Sequence, residues 1–154
     1  NVYSDGLPVG DAPQTQIGAN LSFNPIAALG GYSSIDPTGA ISYAKGGELN
    51  VQIGWNYNAR YWADFEPNTR TDAQDRTEPY KLPDYHLVNL SVNYMRHFIV
   101  GNKSLGVNLF FNLNNLFDEW YIERGKDGAD HTIKTFTGYW GRGRNCAFGV
   151  KLTL

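Results

Sequence analysis

The side chains that could carry out catalysis or bind a metal are scattered along this chain of 154 residues. His86, His97 and His131 lie far apart, and no GxSxG or HExxH motif accompanies them. Residues 64–78 hold five carboxylates, but these lack the spacing of a calcium-binding loop and are balanced in part by two arginines. We therefore predict that the protein is not an enzyme and uses no metal or cofactor.

Aromatic residues that flank a polar segment are better candidates for binding a ligand. Trp120 and Tyr121 lie at its beginning, and Tyr139 and Trp140 lie at its end. Their rings could stack on a sugar or a macrocycle, or they could anchor the chain at a membrane interface. We favour the anchoring role and keep these four residues as candidate substrate-binding side chains.

The element that would position these residues is a β-strand, and the pattern is clearest over residues 104–117. This stretch reads SLGVNLFFNLNNLF, in which large apolar residues alternate with glycine, amides and one phenylalanine. Strict alternation predicts a strand with one apolar face and one polar face. Uncharged amides are unusual on the wet face of a soluble sheet, and a strand of this length is typical of a transmembrane β-barrel.

Similar alternation recurs elsewhere and predicts about five antiparallel strands in all. The further stretches are residues 14–23, 49–62, 86–98 and 145–154. We therefore predict an all-β fold in which these strands belong to an antiparallel transmembrane β-barrel.

The connections between the strands differ in length, as the two ends of such a barrel do. A tight turn at residues 101–103 joins two strands into a hairpin, whereas residues 60–82 and 120–143 form long polar loops on the outer side. Residues 24–47 are predicted to be an irregular insertion with room for a short helix or hairpin. This insertion would lie on the side where turns are expected to be short.

The alternation also sorts the strand residues into two sets that face opposite ways. The residues predicted to face lipid are Val51, Ile53, Trp55, Val88, Leu90, Val92, Val107, Leu109, Phe111, Phe148, Val150 and Leu152. The residues predicted to face the lumen are Asn50, Gln52, Asn56, Asn89, Asn93, Asn108, Asn112 and Asn114. The second set would form a polar, uncharged inner wall.

Charge and composition exclude several classes of function. A net charge of −2 leaves no basic surface for nucleic acid, which is therefore not an expected partner. Cys146 is the only cysteine, so the chain has neither a disulfide framework nor a thiolate metal cluster. No run approaches the roughly 20 apolar residues of a spanning helix, whereas a barrel carries its apolar band on alternate residues.

Four segments together resemble the C-terminal end of TonB-dependent outer-membrane receptors. Residues 11–14 (DAPQ) resemble the proline-led start of a late barrel strand, and residues 82–94 (LPDYHLVNLSVNY) look like the family's LPxYxLVDLxxxY strand, with Asn89 where Asp is usual. Residues 114–121 (NNLFDEWY) match the family's NNLFDxxY signature. Residues 138–145 (GYWGRGRN) are similar to the glycine- and arginine-rich start of the final strand in receptors of the Bacteroidetes type.

The resemblance implies a barrel of about 22 strands, closed inside by a plug domain, in the outer membrane of a Gram-negative bacterium. Members import a scarce nutrient such as an iron chelate, haem, cobalamin or a glycan, driven by a periplasmic partner of the TonB type. Residues 1–154 would supply the last strands of the barrel domain, and we expect a fragment of a longer chain because no plug or TonB box is recognisable. The implied partners are the rest of the barrel, its plug, TonB and outer-membrane lipid, with a surface lipoprotein as a further candidate.

Two alternatives remain open at the level of the sequence. A complete small outer-membrane barrel of eight strands suits the length of the chain, but about five predicted strands are too few. A secreted β-sandwich that binds glycans through exposed Trp and Tyr would carry charges on its solvent faces, where this chain has amides.

Overall fold

A computed structural model describes residues 3–28, 34–35, 41–42 and 47–154 of the chain. The described residues are almost entirely strand and loop, with one helical turn, α1 (Pro25–Ala28), and a single 3₁₀ turn at Pro67–Thr69. The strands are β1 (Thr15–Phe23), β2 (Ser34–Ile35), β3 (Ile41–Ser42), β4 (Glu48–Ala59), β5 (Tyr61–Trp62), β6 (Lys81–Leu82), β7 (Tyr85–Val100), β8 (Lys103–Asn114), β9 (Ile122–Lys126), β10 (Thr137–Trp140) and β11 (Asn145–Thr153). The prediction of an all-β fold is confirmed.

The five long strands form one sheet in the order β1-β4-β7-β8-β11, so each pairs with the next long strand along the chain. These are the five strands that the alternating pattern predicts. Strand β7 is antiparallel to β8, and β8 is antiparallel to β11. The tight turn at Gly101, with φ 62°, closes the first of these pairs. The described strands form an open sheet and do not close into a barrel.

Register shows which side chains share a face of this sheet. Phe111 of β8 lies opposite Val92 of β7 and Phe148 of β11, whereas Asn112 lies opposite Ser91 and Ala147. Because the side-chain period of a strand is two, the apolar positions of these three strands line one face and the amides line the other.

The strand β8 ends three residues before the apolar pattern does. Asn115 has φ 52°, a left-handed conformation that asparagine tolerates better than other non-glycine residues. Its buried backbone N–H donates to Asn89 Oδ1 at 3.0 Å, and the Leu116 N–H donates to the Val88 carbonyl at 2.7 Å. The chain therefore turns at Asn115, and Phe117 lies outside the strand.

The chain divides into two compact units. The loop unit comprises Asn1–Gly18, Asn56–Leu87 and Phe117–Gly143, and the strand unit comprises Ala19–Trp55, Val88–Leu116 and Arg144–Leu154. Every large apolar side chain that is buried in the described residues belongs to the loop unit.

The core of the loop unit is built around Tyr61, Ala63 and Leu82. Four partly buried side chains pack against these residues, namely Tyr80, Tyr85, Ile122 and Phe136. Residues 60–82 and 120–143 are predicted to be loops, but each contains a short antiparallel strand pair. These pairs are β5–β6 and β9–β10. Two glycines make the second pair possible, because a Cβ at Gly125 or Gly138 would lie within 2.6 Å of the Phe136 ring.

Residues 24–47, predicted to be an irregular insertion, are described only in part. They contain the helical turn α1 and the antiparallel pair β2–β3, in which Ser34 lies opposite Ser42. The prediction for residues 29–33, 36–40 and 43–46 lies outside the described residues. Among the helices of the described chain, none has the length and apolar character needed to cross a membrane.

Candidate functional site

A buried arginine joins the two ordered loops of the loop unit. Arg70 is 5% exposed, and its guanidinium donates to Asp75 Oδ2 at 2.8 Å and to Asp127 Oδ2 at 3.3 Å. The same group lies 3.1 Å from Nε2 and 3.3 Å from Nδ1 of His131. We call Arg70, Asp75, Asp127 and His131 the Arg70 cluster.

Asp127 is the most completely buried member of the Arg70 cluster. Its side chain is 2% exposed, accepts a hydrogen bond from the Tyr80 backbone N–H at 3.0 Å, and lies 2.5 Å from Nδ1 of His131. A buried carboxylate is costly unless it is paired and hydrogen-bonded, and these contacts satisfy both conditions. The cluster lines a cavity of about 250 Å³ together with Phe65.

Asp75 contributes a carboxylate whose pKa is shifted in the folded chain. Burial alone would raise the pKa of Asp75. Hydrogen bonds with His131 and with the Thr77 N–H, together with the charge of Arg70, lower that pKa below its usual value. The folded chain therefore favours the ionised carboxylate, as the ion pair with Arg70 requires.

Tyr61 provides a second buried polar contact in this unit. Its hydroxyl donates to the Glu123 carbonyl at 2.6 Å and lies 3.4 Å from Asp11 Oδ1. Burial, followed by the nearby charge of Asp11, raises the pKa of Tyr61 to about 12. The phenol stays neutral and ties β5 to β9.

Three of the four predicted aromatic candidates come together in the loop unit. The rings of Trp120 and Trp140 meet edge to face, with centroids 5.9 Å apart and an interplanar angle of 76°. With Tyr121 they line a small cavity of about 100 Å³. We call this cavity the aromatic notch.

The two tryptophans of the aromatic notch are open to solvent, with Trp120 77% and Trp140 64% exposed. Tyr121 packs against Tyr85, and the two rings stack with centroids 4.4 Å apart. Tyr139 does not join them, since it lies under the Arg124 guanidinium at 5.6 Å. Three of the four candidates therefore lie at one cavity, and Tyr139 lies outside its lining.

Most residues predicted to face the lumen lie around an open concavity of about 580 Å³ on the polar face of the strand unit, or share that face by register. Asn50, Gln52, Asn93 and Asn112 line it together with Ser22 and Ser91. The Ser22 hydroxyl donates to Asn50 Oδ1 at 2.9 Å, so β1 and β4 contribute to one polar surface. Within the predicted set, Asn50, Gln52, Asn56, Asn93 and Asn114 are exposed and Asn89, Asn108 and Asn112 are half-buried.

Asn89 has a more specific role than lining a wall. Its side-chain oxygen accepts the Asn115 N–H, as described above, and this fixes the turn that ends β8. Asn114, the first residue of the NNLFD motif, donates through Nδ2 to Asn145 Oδ1 at 3.1 Å. The polar motif residues therefore bind neighbouring strands at their ends.

The residues predicted to face lipid are exposed or half-buried. Ile53, Trp55, Phe148, Val150 and Leu152 are exposed, and Val51, Val88, Leu90, Val92, Val107, Leu109 and Phe111 are half-buried. Register places the members from β7, β8 and β11 on one face, in the rows Val92–Phe111–Phe148 and Leu109–Val150.

Sequence reasoning missed the Arg70 cluster. The sequence predicts that Arg70 balances charge within residues 64–78, but in the structure Arg70 also contacts Asp127 and His131, which come from the other long loop. No spacing rule connects residues this far apart, so the sequence carries no local signal for the contact. Within the described residues, no group of three or more His, Cys, Asp or Glu side chains is arranged to hold a metal ion.

Comparison with known proteins adds no family to these observations. No family model, curated protein or solved structure was found to match the chain.

Proposed function

We propose that this chain is part of the C-terminal β-barrel domain of a TonB-dependent outer-membrane receptor. The receptor would import a scarce nutrient, such as an iron chelate, haem, cobalamin or a glycan, across the outer membrane of a Gram-negative bacterium. The long strands would complete the barrel wall, and the loop unit would contribute to capture of the nutrient. The partners would be the rest of the barrel, its plug, lipid and TonB.

The observation that carries the proposal is the two-sided character of the large sheet. Its apolar face exposes bulky side chains, among them Phe148, Val150 and Leu152, which are each more than half exposed. A contiguous apolar face of this kind marks a surface that another phase or another molecule covers. Lipid on this face and a hydrated lumen on the amide face would account for both sides at once.

The unusual chemistry of the polar face supports the same proposal over a soluble β-sandwich. A sandwich covers the apolar face of one sheet with a second sheet. In the described chain, the other sheets have only two strands each, so none of them has the size to cover five long strands. The concavity on the amide side is polar and open, as a barrel wall next to water or a plug would be.

The motif residues that carry the resemblance also have defined structural roles. Asn89 and Asn115 join β7 to the end of β8, and Asn114 joins β8 to Asn145 of β11. Asp118 lies against Gly143, where a Cβ would sit 3.2 Å from its Oδ1. The contacts of Asn89, Asn114 and Asn115 hold the ends of adjacent strands together, which gives the polar motif residues a structural role in the sheet.

A test of the proposal combines the location of the protein with energised uptake. The native polypeptide should be extracted from outer membranes with detergent, unfolded completely and sized, and we expect a chain several times longer than 154 residues. A strain lacking the gene should lose uptake of one of the four nutrient classes, and wild-type cells should lose the same uptake when the proton-motive force is dissipated. A protein recovered from the soluble fraction would contradict the proposal.

A further inference from the structure

We propose that the aromatic notch binds a small organic cation, with a quaternary ammonium as the ligand chemistry it fits best. The notch lies wholly within the loop unit, and the inference does not depend on the proposed import function. It rests on the geometry of Trp120 and Trp140, on the carboxylates beside them and on the size of the cavity.

The ring geometry presents two π-faces to one small volume. In an edge-to-face pair, one ring directs its edge at the other, so the faces of both rings border the corner between them. The face of an aromatic ring is negative, and tryptophan attracts cations more strongly than the other aromatic residues do. Both indoles are largely exposed, so a ligand can reach this corner from solvent.

The charges around the notch are complementary to a cation. Asp118 and Glu119 both line the cavity beside the aromatic rings. Arg142 lies near Tyr121, where its charge opposes the effect of Glu123 on the pKa of the phenol. The described residues that line the cavity include the two carboxylates and no lysine or arginine, so a cation bound there lies beside acidic side chains.

Glycines keep the notch open. A Cβ at Gly141 would lie 2.1 Å from the Tyr121 ring, so a side chain there would displace the ring that forms the third wall. Gly143 also lines the cavity, next to Asp118. Tyr121 and Asp118, which line two sides of the notch, therefore each lie against a glycine.

The size of the cavity favours a head group over a larger ligand. Its volume is about 100 Å³, whereas pockets for whole drug-sized ligands span about 300–1,000 Å³. A compact cation can fill this space and contact both indoles, whereas a pyranose ring stacks on the face of a single indole. The notch therefore fits a quaternary ammonium better than it fits a sugar.

The experiment is a tryptophan-fluorescence titration of the native protein in a neutral polyoxyethylene detergent, which carries neither a sugar nor an amine. The probes are choline, its neutral tert-butyl isostere and methyl glucoside. We expect saturable quenching by choline and none by the two neutral probes. Replacing Trp120 or Trp140 with Ala should weaken choline binding about tenfold, which is about 1.4 kcal/mol and lies between the values for an exposed and a desolvated cation–π contact.

Matched variants separate this site from a general effect on the loop. Tyr139→Ala removes an equally exposed aromatic residue from the same hairpin that does not line the notch, and it should leave binding unchanged. Asp118→Asn and Glu119→Gln should each weaken binding several-fold and reduce its dependence on salt. Equal binding of choline and its neutral isostere, preferential binding of the glucoside, or no binding at all would each overturn the inference, whatever the outcome of the uptake experiment.

Discussion

Arg70 is buried beside two carboxylates and a histidine. The change in the free energy of unfolding on mutation of this cluster depends on which member is removed. Replacing a whole buried ion pair by apolar groups is often neutral, whereas removing one partner leaves an unpaired buried charge. Arg70→Ala leaves Asp127, which is 2% exposed, without its arginine partner. We expect this variant to lose about 3–5 kcal/mol of stability in the loop unit, measured as a shift in the denaturant midpoint of tryptophan fluorescence.

Two further variants make the Arg70 prediction specific. Arg76→Ala removes an exposed arginine of the same loop, one that lies over the Tyr3 ring at 5.4 Å, and it should change stability by no more than about 0.5 kcal/mol. The double variant Arg70→Met, Asp127→Leu removes both charges and should recover part of the loss. If the single and double variants were equally unstable, the cost would arise from packing rather than from an unpaired charge.

Asp75 makes the stability of the loop unit depend on pH. Its pKa is lowered in the folded chain, despite burial, by His131, the Thr77 N–H and Arg70. A carboxylate with a lowered folded pKa stabilises the fold above its unfolded value of about 3.9, and this contribution is lost as the pH falls through the lower folded value. Denaturant midpoints should therefore fall on the acid side of about pH 4.

The Asp75→Asn variant isolates this contribution. Its midpoint should be lower than that of the wild type at neutral pH, and the difference between the two should close as the pH falls. Asp72→Asn is the control, because Asp72 accepts the Gln74 N–H at 2.9 Å within its own exposed turn. An Asp75→Asn curve parallel to the wild-type curve at every pH would contradict the assignment.

At the scale of the strand, the register of β8 allows a test of its two faces with adjacent residues. Phe111 lies opposite Val92 and Phe148, and Asn112 lies opposite Ser91 and Ala147. If the apolar face meets lipid, Phe111→Arg should cost about 2–4 kcal/mol near the bilayer midplane and abolish membrane assembly. Asn112→Arg should be tolerated, because its neighbours are small and the polar face would be hydrated.

Membrane assembly can be scored by the amount of folded protein recovered from outer membranes. Asn112 is a better control than Asn108, because Asn108 lies opposite Lys151 and a second cation there would add repulsion. Equal damage by the two arginines would show that the faces are assigned wrongly.

The same elements show which parts of the fold the sequence could predict. The five long strands follow from a period of two, which is a local signal and survives in each strand separately. Phe110 is the large apolar residue that interrupts the polar face of β8, and the structure explains its position. It lies opposite Gly149, and its ring occupies the space that a Cβ at Gly149 would need. A large ring covering a cross-strand glycine is a known way to stabilise a strand at such a position.

The ordered loops could not be predicted in this way. Their core joins Tyr61 and Leu82 to Ile122 and Phe136, residues that are widely separated in a sequence rich in Gly, Asp and Pro. The composition of residues 60–82 and 120–143 is typical of solvated loops. In the structure, long-range packing and the Arg70 cluster order parts of both segments. Of the candidate site, the sequence provided the exposed aromatic residues but not the angle between the rings of Trp120 and Trp140, because that angle depends on the packing of the loop unit.

At the scale of the molecule, the large sheet has two features that need completion. Its apolar face is exposed, and β1 and β11 lie at its edges in the described chain. Unpaired strand edges are not viable within the hydrocarbon region of a bilayer, because each unsatisfied backbone group costs several kcal/mol there. If lipid covers the face, further strands must therefore pair with the edges, so the two features have one common solution in a closed barrel.

A proline scan along β11 can test this closure. Proline lacks the N–H that a strand donates, so an edge strand tolerates it where the N–H points away from its neighbour. Alternate N–H groups of an antiparallel strand point to opposite sides.

If β11 pairs only with β8, proline should be tolerated at every second position of residues 146–152, whereas in a closed barrel it should block assembly at all of them. Strand β8 is the matched control, since it pairs with β7 on one side and β11 on the other and should reject proline throughout. Tolerance is measured as the amount of folded protein in the outer membrane. If β11 tolerates proline at every second position, β11 is an unpaired edge strand, and this result would contradict the closed barrel.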